Sequence, residues 1–455
     1  MYLKKIVLKN IKCFKELTLY FAKNETTRAW SVLLGENGLG KSTLLQAIGV
    51  VLAGPDAMRE LLPVPEGWVR QGQTYGEIEA ELIWTKGDAA PQKNFSVRYL
   101  VTGNEPVSLP EEYHSVPTII PWAGHGDALS RENITNDMNL LKKTAYAEGK
   151  YGWFSCGYGP FRRLSGGGQN ADSILYSRRK SARFVTLFRE DAALTNAQNW
   201  IIELYNTARD GGIREARILK RVQSVLAENF FPQSCKLHLN AREALLQIGD
   251  KKPIRFQELS DGYRSMLALT IDLLHWLMTA FPDENDPLNC PGVVLIDELD
   301  AHTHPRWQRQ MGDWLRQKFP KIQFIVATHS PFLAQVADAP EDNIVLEDQG
   351  VLGVCPRTDV EAASTWRVDQ ILTELFDLPT TYNPEIEARL TRHQQLHQAR
   401  QAQQLLPEQE EEYQRLTLWR MNHIPPAIEE PASRRVAQTL IKAIDKHHAE
   451  LEDMV

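Results

Sequence analysis

The chain opens on a period of two. In "MYLKKIVLKNIKCF" apolar and polar residues alternate, which predicts a half-buried strand. Glu77 to Trp84 and Asn94 to Val101 alternate in the same way and predict an antiparallel pair. Three further apolar stretches do not alternate: Val32 to Leu34, Val293 to Ile296, and "IQFIVA" just before Thr328. Unbroken runs of this kind fit strands buried on both faces of a parallel sheet. Helical spacing follows in "LLQAIGVVL", "NAQNWIIELYNTA", "EARILKRVQSVLAENF" and "YRSMLALTIDLLHWLM". Residues from about 130 to 250 read as mostly helical and end in a hairpin, "CKLHLNAREALLQIG".

From residue 361 the pattern changes. "STWRVDQILTELFDLP" is apolar-periodic, but two polar helices broken at Pro407 follow it. A last helix carries Val436, Leu440, Ile441 and Ile444 on one side. Helices this polar rarely make a core alone. The tail therefore reads as an assembly or partner-docking module, with a solvated extension packed on its own head as the alternative.

Composition narrows the class. The 455 residues are 43% hydrophobic and 24% charged, an ordinary globular balance with room for two or three domains. No apolar run approaches the ~18 residues needed to span a bilayer, and the N-terminus lacks a signal peptide's apolar stretch. Five scattered cysteines without a CxxC pair fit a reducing, cytoplasmic setting better than a disulfide framework or a zinc site. The net charge of −7 argues against a wholesale basic nucleic-acid binder but leaves room for a local patch. One candidate is Arg162, Arg163, Arg178, Arg179, Lys180 and Arg183, read either as a contact to phosphate backbone or an acidic partner, or as a solvated face.

The chemistry sits at the ends of the apolar runs. "SVLLGENGLGKST" has the G-x-x-x-x-G-K-S spacing between a strand and a helix. Gly35, Asn37, Gly38, Gly40, Lys41, Ser42 and Thr43 are the candidate nucleotide-binding residues. Glycines let backbone amides face phosphate, and the helix start adds positive dipole. Lys41 is expected on the β- and γ-phosphates of ATP, and Ser42 on Mg²⁺. "VVLIDELDAHTHP" places Asp297 and Glu298 after a buried strand, at the edge where open α/β sheets bind ligands. Asp297 is the second Mg²⁺ candidate, and Glu298 the base that polarises an attacking water. Strand alternation is expected to send these two carboxylates to opposite faces. His329, after "IQFIVAT", is positioned to sense the γ-phosphate.

Two stretches compete to be a signature loop that faces phosphate bound by a second copy: "LSGGG" from Leu164 and "LSDG" from Leu259. Ser260 lies 37 residues before Asp297, and Ser165 lies 132 before it. Only "LSDG" opens a long apolar helix leading into the Asp297 strand. Ser260 and Gly262 are therefore the signature candidates.

The set "NIKCFKELTLYF", "GENGLGKST", "LSDGYRS", "DELDAHTHPRWQ" and "ATHSPF" resembles the ABC-type ATPases of the RecF and SMC-like group. It is similar above all to the compact branch holding the overcoming-lysogenization-defect ATPases and the PtuA ATPases of Septu defence, the latter on "GYGPFRR" and "LSDGYRS". The resemblance implies an α/β head, with a P-loop, a mixed sheet, an antiparallel β-lobe and a helical lobe, followed by a helical tail. Expected bounds are 1–360 for the head, divided at 1–125, 126–256 and 257–360, and 361–455 for the tail. It implies a homodimer, or an oligomer of dimers, with ATP sandwiched between cradle and signature loop and Asp300 at the interface. It further implies a separate HNH-type nuclease partner in antiphage defence; the alternative is a DNA-repair clamp. No Asp-x-Asp follows the head, as a TOPRIM nuclease would require, so cleavage by this chain itself is not expected. The family's Q-loop glutamine has no convincing counterpart, and "SCGYGPFRR" stands where it would lie. His393 and His397, at helical spacing, read as a solvated face rather than a metal pair.

Overall fold

The computed structural model describes the chain except residues 24–25, 87, 89–92, 104–106, 109–112, 115–116, 125–126, 163–178, 193, 195, 229, 231–233, 379 and 425–455. Two units emerge, Met1–Asp377 and Leu378–Val455. In chain order the first contains β1 (Tyr2–Ile11), β2 (Phe14–Tyr20), β3 (Trp30–Leu34), α1 (Lys41–Ala53), β4 (Tyr75–Ile83), β5 (Phe95–Thr102), β6 (Ile119–Pro121), α2 (Ala128–Lys143) and β7 (Ser155–Tyr158). It continues through α3 (Asn196–Arg209), α4 (Ile213–Ala227), β8 (Cys235–Leu239), β9 (Ala244–Ile248), β10 (Ile254–Arg255), α5 (Asp261–Ala280), β11 (Gly292–Ile296) and α6 (Pro305–Lys318). It ends with β12 (Ile322–Ala327), β13 (Asn343–Asp348), β14 (Val354–Pro356) and α7 (Val368–Glu374).

The central sheet runs β7-β11-β12-β3-β13-β14. All its pairings are parallel except β13–β14. Its three unbroken apolar strands serve two cores at once. Trp30, Val32, Leu34, Val294, Ile296, Phe324 and Val326 face one core, which α5 and α6 cover. Leu33, Val293, Leu295, Ile325 and Ala327 face the other, which contains α1 and the antiparallel sheet β6-β5-β4-β1-β2. Successive strand residues point to opposite faces, so a sheet covered on both sides has no polar positions to alternate. The half-covered sheet does alternate: β4 shows strict inside–outside burial over most of its length. It is the strand expected from Glu77 to Trp84, paired antiparallel with β5.

The stretch expected to be mostly helical also donates β7, which lies parallel to β11 at the sheet's edge. β7 is short and its sequence, "SCGY", has no Val, Ile or Leu. The expected hairpin is β8–β9. No helix among the described residues is long and apolar enough to cross a membrane. All five cysteines are free.

β7 also carries a buried acid pair into the first core. The Tyr158 hydroxyl donates to Asp272 Oδ2 of α5 at 2.9 Å. Burial pushes the Asp272 carboxyl up from 3.8 to about 7, with the Tyr158 hydrogen bond and the Arg183 charge opposing. A folded pKa above the unfolded one adds stability that is complete below about 4 and lost as pH rises through about 7. Asp272→Asn keeps the acceptor and removes the titration. Its stability relative to wild type is expected to climb between pH 5 and 8, levelling above about 7, in paired urea melts. A constant difference across that range would place the titration elsewhere.

In the second unit, α8 (Pro384–Gln401) and α9 (Pro407–His423) are the two polar helices expected around Pro407. His393 is buried rather than solvated, while His397 is exposed as expected. They stack on Tyr413, with His393 Nε2 at 3.0 Å from Thr417 Oγ1 and His397 Nδ1 at 2.9 Å from the Tyr413 hydroxyl. A bidentate Arg392–Glu412 pair joins the same helices. The polar residues of this hairpin are thus its packing. The last expected helix lies outside the described residues.

Candidate nucleotide site

Four parallel strands, β3, β7, β11 and β12, deliver their C-terminal ends to one edge of the central sheet. The glycine loop leaves β3 with Gly35, Gly38 and Gly40 at φ of 138°, 87° and 85°. At Gly40 two requirements coincide, since a Cβ would also sit 2.4 Å from Cys13 Sγ and 2.8 Å from Phe14 Cζ. α1 starts at Lys41 with no side-chain cap and no acidic residue in its first turn. Its free amides and dipole are left for an anion. Lys41 Nζ donates to the carbonyls of Gly35 at 2.7 Å and Glu36 at 3.0 Å. Burial pulls its pKa down, while Asp297, Glu298 and Asp300 hold it up. Asn37 and Ser42 are exposed, and Thr43 is turned inward.

β11 stops at Ile296, one residue before the acids. The Asp297 amide donates to the Tyr158 carbonyl at 2.8 Å, extending the pairing with β7. Asp297 is buried and Glu298 exposed. Their divergence does not come from strand alternation, as expected from the sequence. Glu298 has φ of 46°, so the chain turns out of the strand at that residue. The Ser42 side chain lies near enough to the Asp297 carboxylate to favour its charged form. Burial raises its pKa, Glu298 adds to the rise, and Ser42, Arg162 and Lys41 oppose it. Hydroxyl and carboxylate side by side form the donor set a hard divalent cation takes, so these two residues fit Mg²⁺.

Asp300 is engaged within its own chain. Its carboxylate accepts from the Thr328 hydroxyl and from the His329 amide at 3.3 Å. This ties the turn after β11 to the end of β12 and leaves the His329 side chain exposed. Gln308 of α6 closes the same turn: its amide donates to the Thr303 carbonyl at 2.9 Å, and its oxygen accepts from the Ser330 hydroxyl at 2.8 Å. Nothing in the sequence pattern singled out Gln308.

Ser260 precedes α5 at its N-cap position and is exposed, with its hydroxyl not spent on capping. Gly262 is buried against the acidic turn, where a Cβ would lie 2.4 Å from the His302 carbonyl oxygen. The rival loop at Leu164 to Gly168 lies outside the described residues.

The basic cluster is largely interior. Arg162 is 2% exposed, Arg183 6% and Lys180 7%, so three of the four described members cannot form a surface patch. Arg179 pairs with Glu60. Arg163 and Arg178 lie outside the described residues. Arg162 follows β7, where the glutamine loop was sought. Its Nη1 donates to the carbonyls of Gly159 at 2.9 Å and Asp297 at 2.7 Å. Its Nη2 donates to the Glu298 carbonyl at 2.9 Å, and its Nε to Ser265 Oγ of α5 at 3.0 Å. Burial lowers its pKa to about 10, with Asp297, Asp300 and Glu298 opposing, so it stays charged at neutral pH.

Comparison with known proteins follows the same residues. An "AAA domain" model matches residues 5–229, and a second, "AAA domain, putative AbiEii toxin, Type IV TA system", matches residues 175–334. The "Septu protein PtuA" of Bacillus mycoides (strain KBAB4) is 25% identical over 352 residues, covering 76% of this chain and 41% of that protein. The chain is thus similar to AAA-domain proteins and, over three quarters of its length, to PtuA. The "Retron Ec83 probable ATPase" of Escherichia coli is 36% identical to this chain over 152 residues, 33% of this chain and 27% of the other. The chain thus matches less than half the length of either curated relative. Among solved structures, an SMC head bound to the C-terminal winged-helix domain of ScpA aligns over 79% of this chain and 98% of that chain, at 17% identity and a TM-score of 0.47.

Proposed function

We propose that this chain binds and hydrolyses ATP with Mg²⁺ between two copies of itself, and that it serves as the regulatory ATPase of an antiphage system whose cutting is done by a separate nuclease. The observation that carries the ATPase reading is the meeting of Lys41, Ser42, Asp297 and Glu298 at one sheet edge, fed by four parallel strands. Gly35 to Thr43 cradle the triphosphate, and Lys41 leaves its loop carbonyls for the phosphates. Ser42 and Asp297 hold the metal, which neutralises phosphate charge when bound. Glu298, exposed beyond the turn, takes the proton of the attacking water. His329 stands at the γ-phosphate, and Asp300 fixes the backbone that presents it. Ser260 and Gly262 start a helix whose free N-terminus suits an anion held by the second copy.

The defence role is supported by the relatives named for Septu and for a retron, and the separate HNH-type nuclease is part of the same proposal. A DNA-gripping clamp is the weaker reading, because Arg162, Lys180 and Arg183 are inside the protein.

A mixing experiment tests the shared site. Lys41→Ala and Ser260→Ala should each abolish most hydrolysis alone. In a shared site, the mixed dimer has one doubly damaged site and one intact site. Phosphate release is then expected to rise above that of either variant alone, reaching about half the wild-type rate per mixed dimer where the two sites act independently and less where they are coupled. No recovery on mixing would mean that cradle and signature serve the same nucleotide within one chain, or that Ser260 has no part in the reaction.

A further inference from the structure

Arg162 is an unusual interior cation. Its described hydrogen-bond acceptors are three backbone carbonyls and one hydroxyl, with no carboxylate among them. Burying a guanidinium is costly, and apolar residues fill such space with less penalty. What the planar fork supplies is fixed geometry, because its donors point in set directions. One edge holds the ends of two strands: Gly159 after β7, and Asp297 with Glu298 after β11. The other edge holds Ser265, in the second turn of the helix that Ser260 begins.

The Glu298 end of this link is a strained point. A non-glycine residue at φ of 46° sits in the left-handed region, which is unfavourable and persists only where surrounding contacts impose it. The Arg162 bond to the Glu298 carbonyl is one such contact. A second comes from the same helix: Gly262 packs on the carbonyl of His302, itself at φ of 61°. The first two turns of α5 therefore touch the acidic turn at two places, once directly and once through Arg162.

We infer that Arg162 is a positioning residue that couples the signature helix to the turn carrying Glu298, so that engagement of Ser260 by one nucleotide sets the base that acts on the other. This rests on the proposed ATPase reading. When the partner's phosphate seats α5, Ser265 moves with the helix, and the guanidinium carries that movement to the Glu298 carbonyl. Each copy's base is then fully set when its own signature helix is occupied and works about tenfold more slowly otherwise, which makes the two sites cooperative.

The test uses Ser265→Ala in the full-length chain, which removes one acceptor and leaves the three carbonyl bonds of Arg162 intact. ATP affinity should stay within about twofold of wild type, while kcat falls about tenfold with KM unchanged. The Hill coefficient for ATP, expected above 1 in wild type, should fall to about 1. Ser265→Thr, which keeps the hydroxyl, should recover most of both. Arg162→Lys, which cannot span both edges, should reproduce the Ser265→Ala losses with nucleotide binding retained. Wild-type kcat and Hill coefficient in Ser265→Ala would overturn the inference, as would a wild-type Hill coefficient of 1. Loss of nucleotide binding in both variants would also overturn it, leaving Arg162 a purely structural role. A wild-type chain that hydrolyses no ATP would instead sink the ATPase reading, and the coupling with it.

Discussion

Glu298→Gln is expected to lower ATP hydrolysis at least about 100-fold while leaving nucleotide binding intact, so that ATP holds a long-lived closed dimer. The structure makes this substitution unusually clean. Glu298 is exposed, so replacing a carboxylate with an isosteric amide buries no unpaired group. Its backbone is fixed by the Arg162 bond to its carbonyl, which the substitution does not touch. The variant loses the capacity to accept a proton from water, together with one negative charge that acts on Lys41, Asp297 and Arg162. Phosphate release measures the loss, and mass measurement with and without ATP measures the dimer. Hydrolysis at the wild-type rate would remove Glu298 from the reaction. Loss of hydrolysis without an ATP-dependent dimer would keep the base and remove the shared site.

Lys41→Ala should have the other large effect, on binding itself. The Lys41 ammonium is held at the mouth of the glycine loop by two carbonyls, near three carboxylates that keep it charged against its burial. Charge-assisted bonds contribute about 1.5–3 kcal/mol each, and Lys41 is placed to make more than one to a triphosphate. A loss of affinity of at least about 100-fold is expected, read by calorimetry or a fluorescent ATP analogue. The melting temperature should change little, because the carbonyls of Gly35 and Glu36 can turn to water at this edge. Affinity within about threefold of wild type would mean that the loop binds something other than a triphosphate.

The chemistry was legible where residue type and period agree. β3, β11 and β12 are buried, mainly apolar runs ended by the candidate site residues, as strands packed on both faces should be. The helix after Ser260 could be told from its rival by its apolar face, because α5 is buried on nearly every side. β7 was not legible. Four residues with a glycine and no aliphatic side chain carry no strand signal, and the strand's pairing comes from distant β11. With β7 unseen, Arg162 read as one of six basic residues on a surface. Its interior role depends on carbonyls more than a hundred residues away in sequence. The divergence of Asp297 and Glu298 was read correctly, but from the wrong cause. No local pattern announces that a strand ends one residue early in a left-handed turn. The His393–Tyr413 stack was misread because polar rings packed on each other have the same spacing as rings facing water.

The order in which the central sheet is assembled has a consequence for biosynthesis. β3 pairs with β12 and β13, whose residues lie nearly three hundred positions later in the chain. The glycine loop therefore emerges from the ribosome long before the strands that flank it exist. Contacts of such long range are slow to form and leave apolar edges unpaired meanwhile. A translation product stopped before residue 340 would lack β13 and expose β3 along one side. Such fragments should enter inclusion bodies or be degraded, so a prematurely terminated product is not expected to compete with the intact chain.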